Sequence, residues 1–132
     1  MSQVRGVRGA IDVTQDDVEI VLAATRQLLQ ELMAANPLLR TEDLASVIFT
    51  VTEDLVSVYP AQAARQIGWS QVPMMCAREI PVPGSLPRCV RVLMHWNTEI
   101  PQYQVKHVYL GGAARLRPDL VSGNITKEEQ AL

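Results

Sequence analysis

The stretch "RCVRVLMHW", residues 88–96, decides how the rest of the chain is interpreted. Its continuous apolar character is typical of a strand that is covered on both faces. Arg91 nevertheless stands in its middle, with apolar neighbours on both sides: Cys89, Val90, Val92, Leu93 and Met94. A guanidinium keeps its proton, and burying one without a partner is costly. The stretch therefore predicts either that the Arg91 side chain reaches water or that an anionic group meets it.

Hydrophobic patterning around this stretch predicts a mixed sheet. Further strands are predicted at 3–13, 46–52 and 71–79. Residues 103–118 are ambiguous and indicate a strand followed by one helical turn. Because helices separate the strands, we expect a single α+β domain with a mixed sheet and the helices packed on one face.

Two helices are predicted between these strands. The first follows "TQDD" (14–17), which resembles a capping box with Thr14 as the N-cap, and Asn36-Pro37 ends it. The second is short, begins at Pro60 and has Gly68 at its C-terminal cap.

Length and composition indicate one domain that associates with other subunits. The chain has 132 residues, of which 48% are hydrophobic. A domain of this size has little interior for so much apolar surface, so part of it is expected between subunits. The formal net charge of -2 argues against a nucleic-acid or anionic-membrane partner. We expect the domain to span 1–120 and the polar segment 121–132 to be a mobile tail.

Targeting features and cysteine usage favour a cytoplasmic protein. The N-terminal arginines are not followed by the apolar segment of a signal peptide, and the apolar runs are too short to span a bilayer. Cys76 and Cys89 show neither metal-type spacing nor the density of a secreted disulfide scaffold. Two reduced thiols are therefore expected.

Familiar catalytic motifs do not occur in the sequence. It contains no P-loop, no GxGxxG after a strand, no GxSxG and no HExxH. His95 and His107 have no matching cluster of metal ligands, and neither cysteine has an evident neighbouring base. We therefore expect no metal and no cofactor.

Arginines in apolar surroundings are the main chemical signal: Arg8, Arg65, Arg91 and Arg117. Each one alone has an ordinary explanation, since a strand arginine usually lies at an edge or pairs with a structural carboxylate. Together, converging guanidiniums would form a site for a small molecule that carries carboxylates, because their planar fork matches a carboxylate with two hydrogen bonds. Such a site suits electrostatic catalysis or binding alone.

An ordered set of motifs resembles a known family. The motifs are "VRGVRGA" (4–10), "FTVTEDL" (49–55), "YPAQAARQIG" (59–68), "CAREIPVPGSLPRCVRV" (76–92), "HVYL" (107–110) and "LRPDL" (116–120). In this order they resemble the small monofunctional chorismate mutases of the trimeric, mixed α/β class. The resemblance extends from Val4 to Leu120.

The resemblance implies a fold and an activity. Members form homotrimers with a barrel-like β core and active sites at the subunit interfaces. They convert chorismate to prephenate, a step toward phenylalanine and tyrosine, by an intramolecular Claisen rearrangement. No cofactor, covalent intermediate or obligatory proton transfer is needed. The dianionic substrate would explain the arginines.

The resemblance also implies roles for individual residues. Arg91 corresponds to the donor to the ether oxygen, where negative charge develops. Arg8 and Tyr109 resemble the pair that holds the enolpyruvyl carboxylate. Glu79 resembles the carboxylate that accepts from the ring hydroxyl, and Cys76 lines the same region.

Other residues in the resemblance line or cover the pocket. Tyr59, Ala61 and Arg65 correspond to residues of the neighbouring subunit. Leu116 and Arg117 correspond to a C-terminal segment over the pocket. The pocket wall includes Met74 and Met75, and Gln62 stands where the family can carry a lysine.

Three questions remain open at the level of sequence: the strand geometry at Cys76 and Glu79, the partner of Glu79 and the function of the arginines. Cys76 and Glu79 have opposite parity, so a bulge or strand end near 77–78 is needed for both to face one substrate. Glu79 has an alternative partner in Arg88, across the loop. The same arginines would also serve a trimeric protein that binds a carboxylate metabolite without catalysis, or a deaminase-like trimer.

Overall fold

One mixed five-stranded sheet organises the protein, and its strand order is β3-β2-β4-β1-β5. A computed structural model describes residues 2–116. The strands are β1 (Gln3–Asp12), β2 (Leu44–Val51), β3 (Met74–Arg78), β4 (Cys89–Thr98) and β5 (Val108–Leu110). The opening stretch is thus β4, the central strand, which pairs antiparallel with both β1 and β2. The outer pairs, β1 with β5 and β2 with β3, are parallel.

The two helices lie on one face of this sheet, as the sequence predicts. They are α1 (Val18–Ala35) and α2 (Ala61–Gln66). Their apolar residues join a single core with the strand residues of that face, including the fully buried Leu28, Phe49 and Trp96. Neither of them, nor any other helix within residues 2–116, is long and apolar enough to cross a membrane.

The start of α1 differs from the prediction. Asp17, and not Thr14, is the N-cap, and its carboxylate accepts from the Ile20 N–H at 3.1 Å. Asp16 is used elsewhere, because its carboxylate accepts from the N–H groups of Val56 and Ser57, both at 3.1 Å. Both aspartates suit an N-cap, and the contact to the distant loop at 56–57 decides between them.

The other sheet face, which we call the open face, is covered only at one end. Residues that pair directly across neighbouring strands point to the same side. The open face therefore contains Ala10, Arg91, Thr50 and Tyr109, which are joined by the register. A short 3-10 turn, Gly111–Arg115, covers one end of this face. Elsewhere the face is partly exposed, and Met75 on it is 69% exposed.

Gly9 marks the closest approach of α1 to the sheet. A Cβ atom there would lie 2.9 Å from Leu32 and 3.1 Å from Leu28, and also 3.1 Å from the backbone oxygen of Val108. The leucine side chains can adjust, but the β5 carbonyl cannot move without disturbing its ladder. Gly6 on the same strand has its nearest neighbour at an ordinary 3.8 Å.

We predict that Gly9→Ala lowers the free energy of unfolding by about 1–3 kcal/mol, because the added methyl overpacks the contact between α1 and the sheet. Gly6→Ala on the same strand is the matched control and should change it little. Urea denaturation of both variants measures the difference. Equal stability of the two variants would contradict the close approach at Gly9.

Candidate active site

Arg91 meets a carboxylate on the open face. Its Nε lies 2.8 Å from Glu79 Oε1, and the two side chains are only 31% and 21% exposed. The N–H does not point well at a carboxylate oxygen, so the contact is an ion pair and not a well-aligned hydrogen bond. The partly buried Arg91 thus has an anionic partner, which is one of the two arrangements that its apolar surroundings predict.

Glu79 reaches Arg91 because β3 ends just before it. The strand ends at Arg78, and the Glu79 N–H donates to Val51 O at 2.8 Å, which holds the backbone beside β2. Arg88, the alternative partner, is occupied elsewhere: its Nε donates to Val13 O at 3.0 Å. The guanidinium of Arg88 therefore holds the backbone at Val13, and Glu79 pairs with Arg91.

Register brings two further predicted residues to the same face. Ala10 pairs with Arg91 on one side and with Tyr109 on the other, so these side chains share the open face. Arg8 pairs with Leu93 and is diagonal to Arg91, a relation that places Cα atoms roughly 7–8 Å apart. Arg8, Arg91 and Tyr109 are thus gathered around Ala10.

Side chains from a distant loop fix the backbone of β1 at Arg8. The Arg8 N–H donates to His107 Nδ1 at 3.0 Å. Two residues earlier, the Gln102 amide accepts from the Gly6 N–H at 2.9 Å and donates to Gly6 O at 2.7 Å. These contacts extend the β1 edge where β5 does not pair with it. His107 therefore has a structural role in placing Arg8.

The segment after β5 turns over the open face. The Gly112 N–H donates to Asp12 Oδ1 at 3.0 Å. Gly111 has a φ of +60°, which favours glycine, and a Cβ there would press against the Asp12 carboxylate. Leu116 then packs against the small apolar cluster that contains Ala10 and Tyr109. Arg117 lies outside the described residues, so its predicted role stays a prediction.

Cys89 is a buried residue next to Ala10 and Tyr109 in the apolar cluster of the open face. Its side chain is fully buried and belongs to the same cluster as Tyr109. Burial raises the pKa of the Cys89 thiol to about 11, although the neighbouring Arg91 guanidinium acts in the opposite direction. The thiol is therefore neutral and unreactive at ordinary pH.

A second group of predicted residues lies apart from Arg91 within one chain. Cys76 pairs with Phe49, so it points to the helix-covered side. It lines a cavity of about 540 Å³ together with Tyr59 and Gln62. Tyr59 is 72% exposed, whereas Ala61 on α2 is buried.

The remaining predicted residues also divide between the two sides. Arg65 is exposed on α2. Met74 pairs with Val47 and faces the helices, while Met75 faces the open side. The prediction that both groups line one pocket requires residues from more than one subunit, and it stays a prediction.

Comparison with known proteins identifies the family. The family model described as chorismate mutase type I matches residues 4–120. The chain belongs to the chorismate mutase type I family.

Individual members of the family are similar along nearly their whole length. Chorismate mutase AroH from Thermus thermophilus is 60% identical over 119 residues, covering 90% of this chain and 98% of that protein. Chorismate mutase AroH from Bacillus subtilis (strain 168) is 42% identical over 118 residues, covering 89% of this chain and 92% of that protein. A solved structure, chorismate mutase from Clostridium thermocellum, superposes with a TM-score of 0.80 at 45% identity and covers 83% of this chain and 97% of that one.

Several contacts at the site carry no sequence signal. Thr52 and Asp54 bind the backbone where β4 begins. Asp12 accepts a hydrogen bond from the Gly112 N–H in the turn after β5. Each is an ordinary polar residue near a strand end, where side chains often bond only to solvent. These contacts depend on the backbone conformation of the segments that they hold. No spacing of residues in the sequence indicates that conformation.

We predict that Cys89 is inert in the folded protein. With a pKa of about 11, about one thiol in a thousand is ionised at pH 8. In a Cys76→Ser variant, a thiol reagent at pH 8 should modify essentially no cysteine until urea is added, and one per chain afterwards. Rapid modification of the folded variant would contradict the burial of Cys89.

The raised pKa also has a consequence for stability. Since the folded state favours the neutral thiol, Cys89 contributes stability below pH 9 that is lost as the pH rises toward 11. A Cys89→Ala variant should lose less stability over that interval than the wild type.

Proposed function

We propose that this protein catalyses the rearrangement of chorismate to prephenate by electrostatic stabilisation and conformational restraint. One observation carries the proposal: this member of the chorismate mutase type I family has Arg91 on its central strand, paired with Glu79 and partly shielded from water. One ether C–O bond breaks and one C–C bond forms within the substrate. The chain therefore has to position a dianion and stabilise charge, which its arginines suit.

Arg91 is the proposed catalytic donor to the ether oxygen. Negative charge grows on that oxygen as its bond to the ring lengthens. A donor that is fixed before the reaction and shielded from water stabilises this charge without reorganising. Two observations support this role: Arg91 lies on the middle strand of the sheet, and the neighbouring residue Cys89 is fully buried.

Glu79 is proposed to have two roles. Without substrate it holds the Arg91 guanidinium in place through the ion pair. With substrate it accepts a hydrogen bond from the ring hydroxyl, so that the ring is oriented for a compact, reactive conformation. A carboxylate there would repel the substrate's own carboxylates, which favours the hydroxyl as its partner.

The enolpyruvyl carboxylate is assigned to Arg8 and Tyr109, which share the open face with Arg91. Leu116 packs against the cluster that contains Tyr109 and would begin the segment that covers the pocket. Arg117 would follow it and add a positive charge at the rim.

The complete site is proposed to form between subunits of a homotrimer in the cytoplasm. Within one chain, the cavity with Tyr59, Cys76 and Gln62 is separate from Arg91. A neighbouring copy would bring its Tyr59, Ala61 and Arg65 to the open face. The partly exposed apolar residues of that face support this association, since an isolated sheet face would leave them in water.

The direct test of Arg91 is its replacement. Arg91→Lys keeps the charge but not the planar fork, and Arg91→Ala removes both. We predict that Arg91→Ala lowers kcat by about 10²–10³-fold or more, with Arg91→Lys also strongly impaired. The loss of chorismate absorbance in the ultraviolet measures turnover.

Arg40→Ala is the matched control, because Arg40 makes an exposed ion pair with Glu42. It should leave kcat unchanged, and circular dichroism should report a native fold for each variant. Near-normal turnover by a folded Arg91→Ala variant would overturn the assignment.

A subunit-mixing experiment tests the shared site. Arg91→Ala and Arg65→Ala change residues that would come from different subunits, and each homotrimer should be impaired. After equal mixing and reassembly, about one quarter of the sites would combine an intact Arg91 with an intact Arg65. Activity should therefore exceed the mean of the two parents. Activity equal to that mean would place both residues in the same subunit's site or outside it.

A further inference from the structure

Two side chains and two backbone N–H groups meet where β4 begins. The Asp54 carboxylate accepts from the Arg88 N–H at 3.1 and 3.0 Å, one distance for each oxygen. The Thr52 hydroxyl donates to Asp54 at 2.5 Å and accepts from the Cys89 N–H at 3.0 Å. We call this arrangement of Thr52, Asp54 and the backbone of residues 88–89 the β4 strap.

The strap compensates for an unfavourable backbone conformation. Arg88 has a φ of +50°, and it is the one non-glycine residue with positive φ among those the structure describes. A Cβ atom disfavours this region, so other contacts must hold the residue there. The Arg88 N–H donates to both oxygens of the Asp54 carboxylate, which is such a contact. The Arg88 side chain adds another, from Nε to Val13 O.

The same short segment holds both members of the Arg91–Glu79 pair. Val51 O accepts from the Glu79 N–H at 2.8 Å, and the Thr52 N–H donates to Cys89 O at 3.1 Å. Thr52 and Asp54 then fix residues 88 and 89. The end of β2 is thus the common anchor for Glu79 on one side and for the start of the Arg91 strand on the other.

We propose that Asp54 is a positioning residue for catalysis, which acts through Thr52 and the left-handed Arg88 to aim Arg91 and Glu79 at the substrate. This inference rests on the proposed function of Arg91. Asp54 acts through hydrogen bonds to the chain, and its charge is not required to act on the substrate. A displacement of about 1 Å at a catalytic group can cost about 100-fold in rate, so a weakened strap should be visible in kcat.

Kinetics of single variants form the first part of the test. Asp54→Ala should lower kcat by about 10–100-fold, with KM changed much less. Asp54→Asn keeps an acceptor for the Arg88 N–H and should retain most of the activity. Glu53→Ala is the matched control, since Glu53 is the adjacent exposed acid and should have no effect. An Asp54→Asn variant as impaired as Asp54→Ala would overturn the proposal in favour of a direct effect of charge.

A double-mutant cycle tests the pathway through Arg88. Glycine adopts positive φ without strain, so Arg88→Gly makes the strap less necessary. Asp54→Ala should therefore cost no more than about threefold in kcat when it is added to Arg88→Gly. The same large loss in both backgrounds would contradict the coupling and overturn the proposal.

A magnetic-resonance measurement that does not depend on activity separates this inference from the proposed function. The Arg91 Nε–H resonance, assigned by its absence in Arg91→Lys, reports directly on the ion pair. It should shift or broaden in Asp54→Ala and keep its position in Asp54→Asn and Glu53→Ala. An unchanged resonance in Asp54→Ala would overturn the positioning role. If the wild type turned over no chorismate, the proposed function would fail while this spectral result still decided whether the strap positions Arg91.

Discussion

The ion pair between Arg91 and Glu79 is the interaction around which the candidate site is arranged. A guanidinium on the central strand of a sheet cannot reach bulk water as easily as one at an edge, and its desolvation has to be offset. Glu79 provides that compensation from just beyond the end of β3. The order of the strands and the end of β3 together bring these two residues close to each other.

Division of the sheet into two unlike faces explains how one small chain both folds and presents a charged site. Alternate residues of β1, β2 and β4 face the helices and form a continuous apolar core. The remaining residues form the open face, where Arg8, Arg91 and Tyr109 surround the small side chain of Ala10. Because the core is complete on one side, polar chemistry on the other does not interrupt it. The fold tolerates the arginines for this reason.

Sequence reasoning predicted the elements well because each has a local signal. Strand and helix periodicities, Asn36-Pro37 and Gly68 are properties of short segments, and the structure contains the corresponding elements. The N-cap at Thr14 was wrong: α1 begins at Val18 with Asp17 as its N-cap, and Asp16 binds the distant loop at 56–57. The sequence predicted that Arg91 either reaches water or meets an anion, and the structure contains the second arrangement. The sequence left open whether Glu79 pairs with Arg88 or with Arg91, because the answer depends on where β3 ends.

Contacts at the start of β4 could not be predicted for a different reason. Arg88 adopts a left-handed conformation that its residue type disfavours, so propensity argues against the structure that is present. The carboxylate of Asp54 and the hydroxyl of Thr52, placed by the end of β2, stabilise it together with the contact from Arg88 Nε to Val13 O. Local rules fail where distant side chains hold the backbone, and here they fail close to Arg91 and Glu79.

We infer that Arg91, which is partly shielded from water, accelerates a rearrangement and does not merely bind an anion. Continuous ultraviolet absorbance of chorismate mixed with the purified wild-type protein, with a metal chelator present, tests this inference. We predict multiple turnovers, at a rate far above the spontaneous reaction and proportional to protein concentration. If a folded protein bound chorismate without consuming it, the inference would be wrong and the protein would be a carboxylate-binding protein.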